Sequence, residues 1–202
     1  MRTLLVALLL LAAPGAASAG PAVALRLGYG ASSDDASKGT PMSDVAVAEI
    51  PIQLDLLWRF GEHVSAGAYY AYGFGRISSG VASRCDALGA SCSVWTMRAG
   101  AFFHYAFPEV SERFVPWVGA GMGWEWARDS VSSPLGSTRH DLSGWELLSL
   151  EGGADWSASR KLRIGPYAGI RWTEYKRLDG YSIVNQTFHS WTGFRLRGTY
   201  DL

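Results

Sequence analysis

Hydrophobic and polar residues alternate along most of this chain. In "LRIGPYAGIRW", Leu162, Ile164, Pro166, Ala168, Ile170 and Trp172 lie on one side, and Arg163, Gly165, Tyr167, Gly169 and Arg171 on the other. A period of two marks a strand with two unlike faces. The same period recurs in seven other segments. Val23, Leu25, Leu27 and Tyr29 share a face, and Arg26 takes the other. Ile50, Ile52, Leu54, Leu56 and Trp58 oppose Glu49, Gln53, Asp55 and Arg59. Ala66 to Phe74 sets Tyr70 and Tyr72 against Ser65, Gly67, Tyr69, Ala71 and Gly73. Trp95, Met97, Ala99, Ala101, Phe103 and Tyr105 oppose Thr96, Arg98, Gly100, Phe102 and His104. Phe114, Val118, Ala120, Met122, Trp124 and Trp126 oppose three glycines and Glu125. Leu148, Leu150, Ala154 and Trp156 oppose Ser149, Glu151, Gly153 and Asp155, the least regular of the set. Phe194, Leu196, Tyr200 and Leu202 oppose Arg195, Arg197, Thr199 and Asp201. No segment after the first twenty residues shows a convincing 3.6-residue period, so an all-β chain of eight strands is predicted.

The connections alternate in length. They run to about 14 residues (31–44), 4 (60–63), 18 (76–93), about 6 (107–112), 18 (127–144), 5 (157–161) and 13 (176–188). Short loops join hairpins, so the long loops gather at one end of the sheet and the tight turns at the other. An even strand number puts both termini at the short-turn end. This is the layout of an eight-stranded antiparallel up-and-down transmembrane β-barrel with short periplasmic turns and long external loops.

Two solvents compete for the apolar face. In a soluble ligand-binding barrel it points inward; in a membrane barrel it meets lipid, and the alternation itself favours neither. Aromatic residues favour lipid. Trp58, Trp156 and Tyr200 lie toward the short-turn end, and Trp95, Trp124, Trp126 and Trp172 toward the long-loop end, as two interfacial girdles would. Composition agrees: 15 Arg stand against three Lys (Lys38, Lys161, Lys176), and there are 24 Gly. A crowded interior suits small residues and the planar guanidinium fork. The polar faces would then form an internal ion-pair network, with Arg26, Arg59, Arg98, Arg163, Arg171, Arg195 and Arg197 facing Glu49, Asp55, Glu125, Glu151, Asp155 and Asp201. Against a closed barrel stand Pro51, Pro116 and Pro166, because a strand paired on both sides has no place for a missing donor. A bulge near a short turn would accommodate Pro116 and Pro166; Pro51 has no such excuse.

On these strands, and on "VPWVGAGMGW" and "LRIGPYAGIRW" in particular, the chain resembles the small eight-stranded outer-membrane proteins, the OmpA-transmembrane, OmpX and OmpW group. The resemblance covers nearly the whole chain after the leader, but as a pattern and not a diagnostic motif. It implies a barrel domain over 20–202 in the outer membrane of a diderm bacterium. It also implies membrane lipid and the outer-membrane insertion machinery as partners. That machinery reads a C-terminal aromatic residue; here Tyr200 fits the pattern and Leu202 stands in the terminal place.

The first residues fit this destination. "MRTLLVALLLLAAPGAASAG" has a basic start, an apolar run too short to span a bilayer, and Ala-Ser-Ala before Gly20. We read residues 1–19 as a signal peptide cut between Ala19 and Gly20. In an exported chain, Cys85 and Cys92 are expected to close a loop as a disulfide and not to bind a metal.

Chemistry is sparse. The charge after the leader is −1 (17 basic, 18 acidic), with no basic block for nucleic acid. The four His show no metal spacing, and no cofactor motif is present. "TFHSW" carries His189 beside Ser190, but adjacent strand residues project to opposite faces, so they cannot form the same-side dyad of a lipid-modifying enzyme. "NQT" at Asn185 is a chance match to a glycosylation site. The expectation is a non-enzymatic monomer with a structural or surface-interaction role through its external loops. The alternatives are a narrow OmpW-like conduit for ions or small apolar molecules, a lipid A-modifying enzyme, and a soluble binding barrel.

Overall fold

The computed structural model describes residues 20–108, 110, 113–134, 136–184 and 186–202. The expected signal peptide over 1–19, with Ala19 at its expected cut, and Asn185 lie outside the described residues.

Eight long strands form the protein: β1 (Gly20–Ser37), β2 (Ala48–Phe60), β3 (Val64–Arg76), β4 (Ser91–Ala106), β5 (Phe114–Ser133), β6 (Gly136–Ser157), β7 (Leu162–Leu178) and β8 (Phe188–Asp201). Each pairs antiparallel with its chain neighbours. β8 pairs both with β7, as in Leu196 opposite Pro166, and with β1, as in Leu196 opposite Leu27. The sheet is therefore closed, with every strand paired on both sides. Among the described residues no helix is long and apolar enough to cross a membrane.

The alternation separates two surfaces. On β2, Leu56 is 59% exposed and Trp58 49%, whereas Asp55 and Glu49 between the same strands are 0%. The outside is a continuous apolar band of Leu25, Leu27, Ile52, Leu54, Phe103, Met122, Leu150, Phe194 and Leu196. The inside holds the arginines and carboxylates. A soluble protein places its apolar face inward, so the polarity here is inverted.

The strand prolines are accommodated by gaps, not bulges. The β1–β2 ladder pairs Leu27 with Ile52 and Gly30 with Glu49 but omits the two positions between, which include Pro51, while Pro51 pairs normally with Gly73 of β3. Pro166 repeats this: it pairs with Leu196 of β8, and the β6–β7 ladder omits the two positions between Gly153–Tyr167 and Trp156–Ile164. Each missing donor thus falls where one ladder is already open. Pro116 lies one step past the last β4–β5 pair, Ala106–Trp117, and only accepts, from Phe107 N at 2.9 Å.

Among the described residues, two bulges occur between the eight long strands, on other residues. Leu147 of β6 is an extra residue between Glu146 and Leu148, and Lys176 of β7 lies between the Ser143–Arg177 and Gly144–Tyr175 pairs. The first reverses the face of everything before it on β6, so Glu146 points inward.

The long-loop end departs most from the sequence reading. The expected 18-residue loop 127–144 is mostly hairpin: β5 and β6 stay in register from Ala127–Leu142 to Ser133–Gly136. Above the apolar band both strand faces meet water, so hydrogen bonding continues without alternation to betray it. The loop 76–93 contains a helix, α1 (Ser79–Ala87), whose N-cap Ser78 accepts from Val81 N at 3.3 Å. Its sequence, SGVASRCDA, carries no apolar stripe, so periodicity could not reveal it. Cys85 of α1 and Cys92 of β4 form a disulfide. The first long connection folds inward, where a short 3-10 helix (Met42–Asp44) lowers Met42 into the mouth. Met42 and Ala46, both 0% exposed, pack there with Ala36, Val94, Ala127, Tyr175 and Trp191.

At the Lys176 bulge the strands come very close. A Cβ on Gly144 would lie 2.5 Å from Tyr175 Cα and against the Glu174 backbone. Gly144→Val should destabilise the barrel toward the upper end of the roughly 1–3 kcal/mol typical of overpacking, because backbone cannot yield. Gly152→Ala, whose nearest neighbour would be 3.8 Å away, should change stability by under about 0.5 kcal/mol. Urea titration of both variants in detergent measures the difference.

Candidate functional site

The barrel interior holds the protein's densest chemistry, arranged in three layers along the axis. Nearest the plugged mouth, Arg171 of β7 reaches Glu49 of β2 at 2.8 Å and Glu125 of β5 at 3.4 Å. Arg98 of β4 lies 3.2 Å from Glu146 of β6 and 3.9 Å from Glu49. Neutral donors complete the carboxylates: Thr96 bonds Glu49 at 2.9 Å, and Tyr175 bonds Glu125 at 2.8 Å. His189 lies 3.7 Å from Glu125.

The middle layer centres on Arg26 of β1. It contacts Asp55 of β2 and Glu151 of β6, each at 2.5 Å. Gln53 donates to Asp55 at 2.8 Å. Arg195 of β8 approaches Glu151 at 3.6 Å, and Arg197 meets Asp155 at 2.5 Å. His104 sits between Arg26 and Arg197, 3.3 Å from each. A Cβ at Gly119 would collide with the His104 ring, so only glycine leaves that ring its place. At the short-turn mouth, Asp201 pairs with Arg59 and lies 3.7 Å from Arg163.

Within the wall, therefore, Arg26, Arg59, Arg98, Arg163, Arg171, Arg195 and Arg197 face Glu49, Asp55, Glu125, Glu146, Glu151, Asp155 and Asp201, one carboxylate per guanidinium. Sequence periodicity missed Glu146, which is the seventh acid. The adjacent Leu147 and Leu148, two apolar residues in a row, were the only hint of the bulge that turns it inward. Periodicity put Tyr167 on the polar face but assigned no face to two further inward aromatics: Trp117 lies under Arg197 at 3.7 Å and Trp191 under Arg171 at 4.8 Å, while Tyr167 lies under Arg26 at 5.1 Å. Guanidinium groups can stack on rings while bonding carboxylates in their plane, which ammonium groups cannot. Hence Arg, and not Lys, lines the bore.

Side chains fill most of this interior. The space left between the upper two layers amounts to cavities of about 10 Å³ each, room for a single water. A wider recess of about 500 Å³ opens at the short-turn mouth, lined by Arg59, His63, Phe107 and Arg163, and a smaller cavity of about 40 Å³ reaches inward to His104 and Arg197. Among the described residues no group of three or more His, Cys, Asp or Glu could hold a metal ion.

No family model matches the sequence, and no curated protein matches it. Solved structures do match the fold. A major outer membrane protein from Thermus thermophilus aligns with a TM-score of 0.56 at 11% identity, over 92% of this chain and 100% of that one. Neisserial surface protein A aligns at 0.54 and 15% identity over 89% and 97%. Ail, the attachment invasion locus protein of Yersinia pestis, aligns at 0.51 and 11% identity over 91% and 99%. The chain has the fold of the small outer-membrane β-barrels.

On the outside of this outer-membrane-type barrel, Trp58, Trp156 and Tyr200 stand near the short-turn end and Trp95, Trp124, Trp126 and Trp172 near the long-loop end, all on the apolar face. His189 and Ser190 lie on opposite sides of β8: His189 is buried in the bore, and Ser190 bonds Asp34 at 2.9 Å on the outer side. Beyond the apolar band, the β5–β6 hairpin is braced by the turn after β7. Asp179 N donates to Asp141 O, and Asp141 N donates to the Asp179 carboxylate, both at 2.8 Å. His140 Nδ1 meets the same carboxylate at 2.9 Å. That hydrogen bond holds His140 above and Asp179 below their ordinary values.

Two outcomes follow from this geometry. Glu146→Ala leaves Arg98 with a partner only at 3.9 Å and should cost about 3–5 kcal/mol. Glu174→Ala, on the outer face beside Lys176, should cost under about 1 kcal/mol; urea unfolding compares them. The His140 contribution is full below about pH 6.5 and is lost as pH rises through its raised value. The Asp179 contribution is full above about pH 3.9 and is lost as pH falls through its lowered value. Amide exchange at Asp141 and Asp179, after correction for the intrinsic pH dependence, should therefore be best protected between about pH 4 and pH 6.5. A flat profile across that window contradicts the pairing.

Proposed function

We propose that this protein is an integral outer-membrane barrel, exported by a cleaved leader over residues 1–19, that serves without catalysis as a sealed scaffold for a braced external recognition face. The observation that carries this reading is the inverted polarity. Among the described residues, seven arginines and seven carboxylates line the bore, while Leu25, Leu54, Leu56, Phe194 and Leu196 stand exposed around the wall. Only a hydrocarbon surround makes that arrangement favourable, since each exposed side chain would otherwise leave roughly 1.5–3 kcal/mol of burial unrealised. Because no strand edge is left open, the barrel needs no second copy to satisfy its backbone, which supports a monomer.

The long-loop end supports the recognition role. The disulfide between Cys85 and Cys92, helix α1 and the Asp179-tethered hairpin hold it as a shaped surface. Ail is named for attachment and invasion, and we extend a comparable role, a recognition surface carried on this fold, to the present chain. The sealed bore weighs against the narrow conduit, because Met42 stoppers the mouth above two ionic layers. The separation of His189 from Ser190 weighs against a lipid-modifying enzyme.

The test is fractionation with electrophoresis. The protein should be recovered from the outer-membrane fraction with its N-terminus at Gly20, and should shift in mobility on heating. In planar bilayers it should stay silent. Recovery as a freely soluble protein rejects the membrane reading; steady unit conductance rejects the sealed scaffold.

A further inference from the structure

The outer wall carries a groove of about 230 Å³ that begins where the apolar band ends. Met97 of β4, Trp126 of β5 and Ser143 of β6 line one rung of it, and Trp95, Arg128 and Asp141 line the next outward rung toward the long-loop end. The register sets Met97 beside Trp126, Trp95 beside Arg128, and Arg128 beside Asp141. All these positions share the outward face. The height is that of the lipid boundary: on the adjacent β7, outward Ile170 and Trp172 give way to Glu174 and Lys176, paired at 2.6 Å.

Arg128 is fixed in place there. Its guanidinium grips both oxygens of Asp141 and lies 4.9 Å over the Trp95 ring. Two groups are held so tightly yet remain a third to a half exposed, Arg128 at 32% and Asp141 at 46%. A pair of opposite charges, preorganised at the top of an apolar groove, has little net charge to offer a simple anion. It complements a zwitterion.

Resting on the membrane reading above, we propose that this groove is a binding site for one zwitterionic phospholipid. Its acyl chain lies along Met97 and between Trp95 and Trp126. Its headgroup phosphate accepts from the outward N–H groups of Arg128, and its ammonium sits beside the Asp141 carboxylate, as a phosphoethanolamine headgroup allows. Because neither charged group must be ordered on binding, little conformational entropy opposes the contact.

The test is native mass spectrometry of the detergent-purified barrel in an equimolar mixture of phosphatidylethanolamine and phosphatidylglycerol, with lipid A in a separate arm. One phosphatidylethanolamine should be retained in preference, by about threefold to fivefold, the range of one exposed charge-assisted contact. Arg128→Ala and Trp126→Ala should each abolish that preference, and Trp58→Ala at the opposite girdle should keep it. Heat-modifiable mobility of each variant confirms that it is folded. Unselective retention by a heat-modifiable barrel overturns the lipid site alone, as does equal selectivity in Arg128→Ala. Preferred retention of phosphatidylglycerol or lipid A overturns the zwitterion assignment. A wild-type protein without the mobility shift overturns the site together with the membrane reading beneath it.

Discussion

Closing eight strands into a ring leaves a bore too narrow for bulk water, and the charges inside it must neutralise one another. Much else in the structure answers to that constraint. It calls for one carboxylate per guanidinium, which the Leu147 bulge completes by turning Glu146 inward. It favours arginine, whose flat cation can stack on Trp117, Trp191 or Tyr167 while bonding acids in its plane. It also calls for glycine opposite the bulkiest inward rings, as Gly119 is to His104. Buried pairs of this kind add little net stability over an apolar core. Their contribution here lies in register: each arginine has its acid at one height, so a slipped strand would strand a charge.

Outside, the same backbone obeys a different rule. Hydrocarbon tolerates no unpaired peptide group, so irregularity within the apolar band must be brief. Pro51 and Pro166 show how brief, since each occupies a two-position gap in one ladder while the other ladder runs through it. Above the band water satisfies the backbone, and variety appears: an extended hairpin, a capped helix, a disulfide and an inward-folded plug. The braced long-loop end and the ion-filled bore are thus consequences of one boundary.

Much of this was legible in the residues. Eight strands, their pairing order and the inward face of Arg26, Arg98, Arg171, Arg195 and Arg197 all follow from a period of two and from loop length. Three features were not legible, each for its own reason. Glu146 was hidden because one inserted residue inverts every face before it. The β5–β6 hairpin was hidden because strands wetted on both sides do not alternate. Helix α1 was hidden because nine mostly small and polar residues held by a cap and a disulfide need no apolar stripe.

Alternation by itself determined that each strand has two unlike faces, because the side-chain period of a strand is a local, covalent property. It could not determine which carboxylate serves which arginine. Arg26 takes partners 29 and 125 residues away, and Arg171 joins β7 to β2 across the bore. Those pairings depend on where β8 meets β1, on bulges that shift one strand against the next, and on the height at which each side chain enters the bore. They exist only once the ring is closed, so tertiary structure alone decided them.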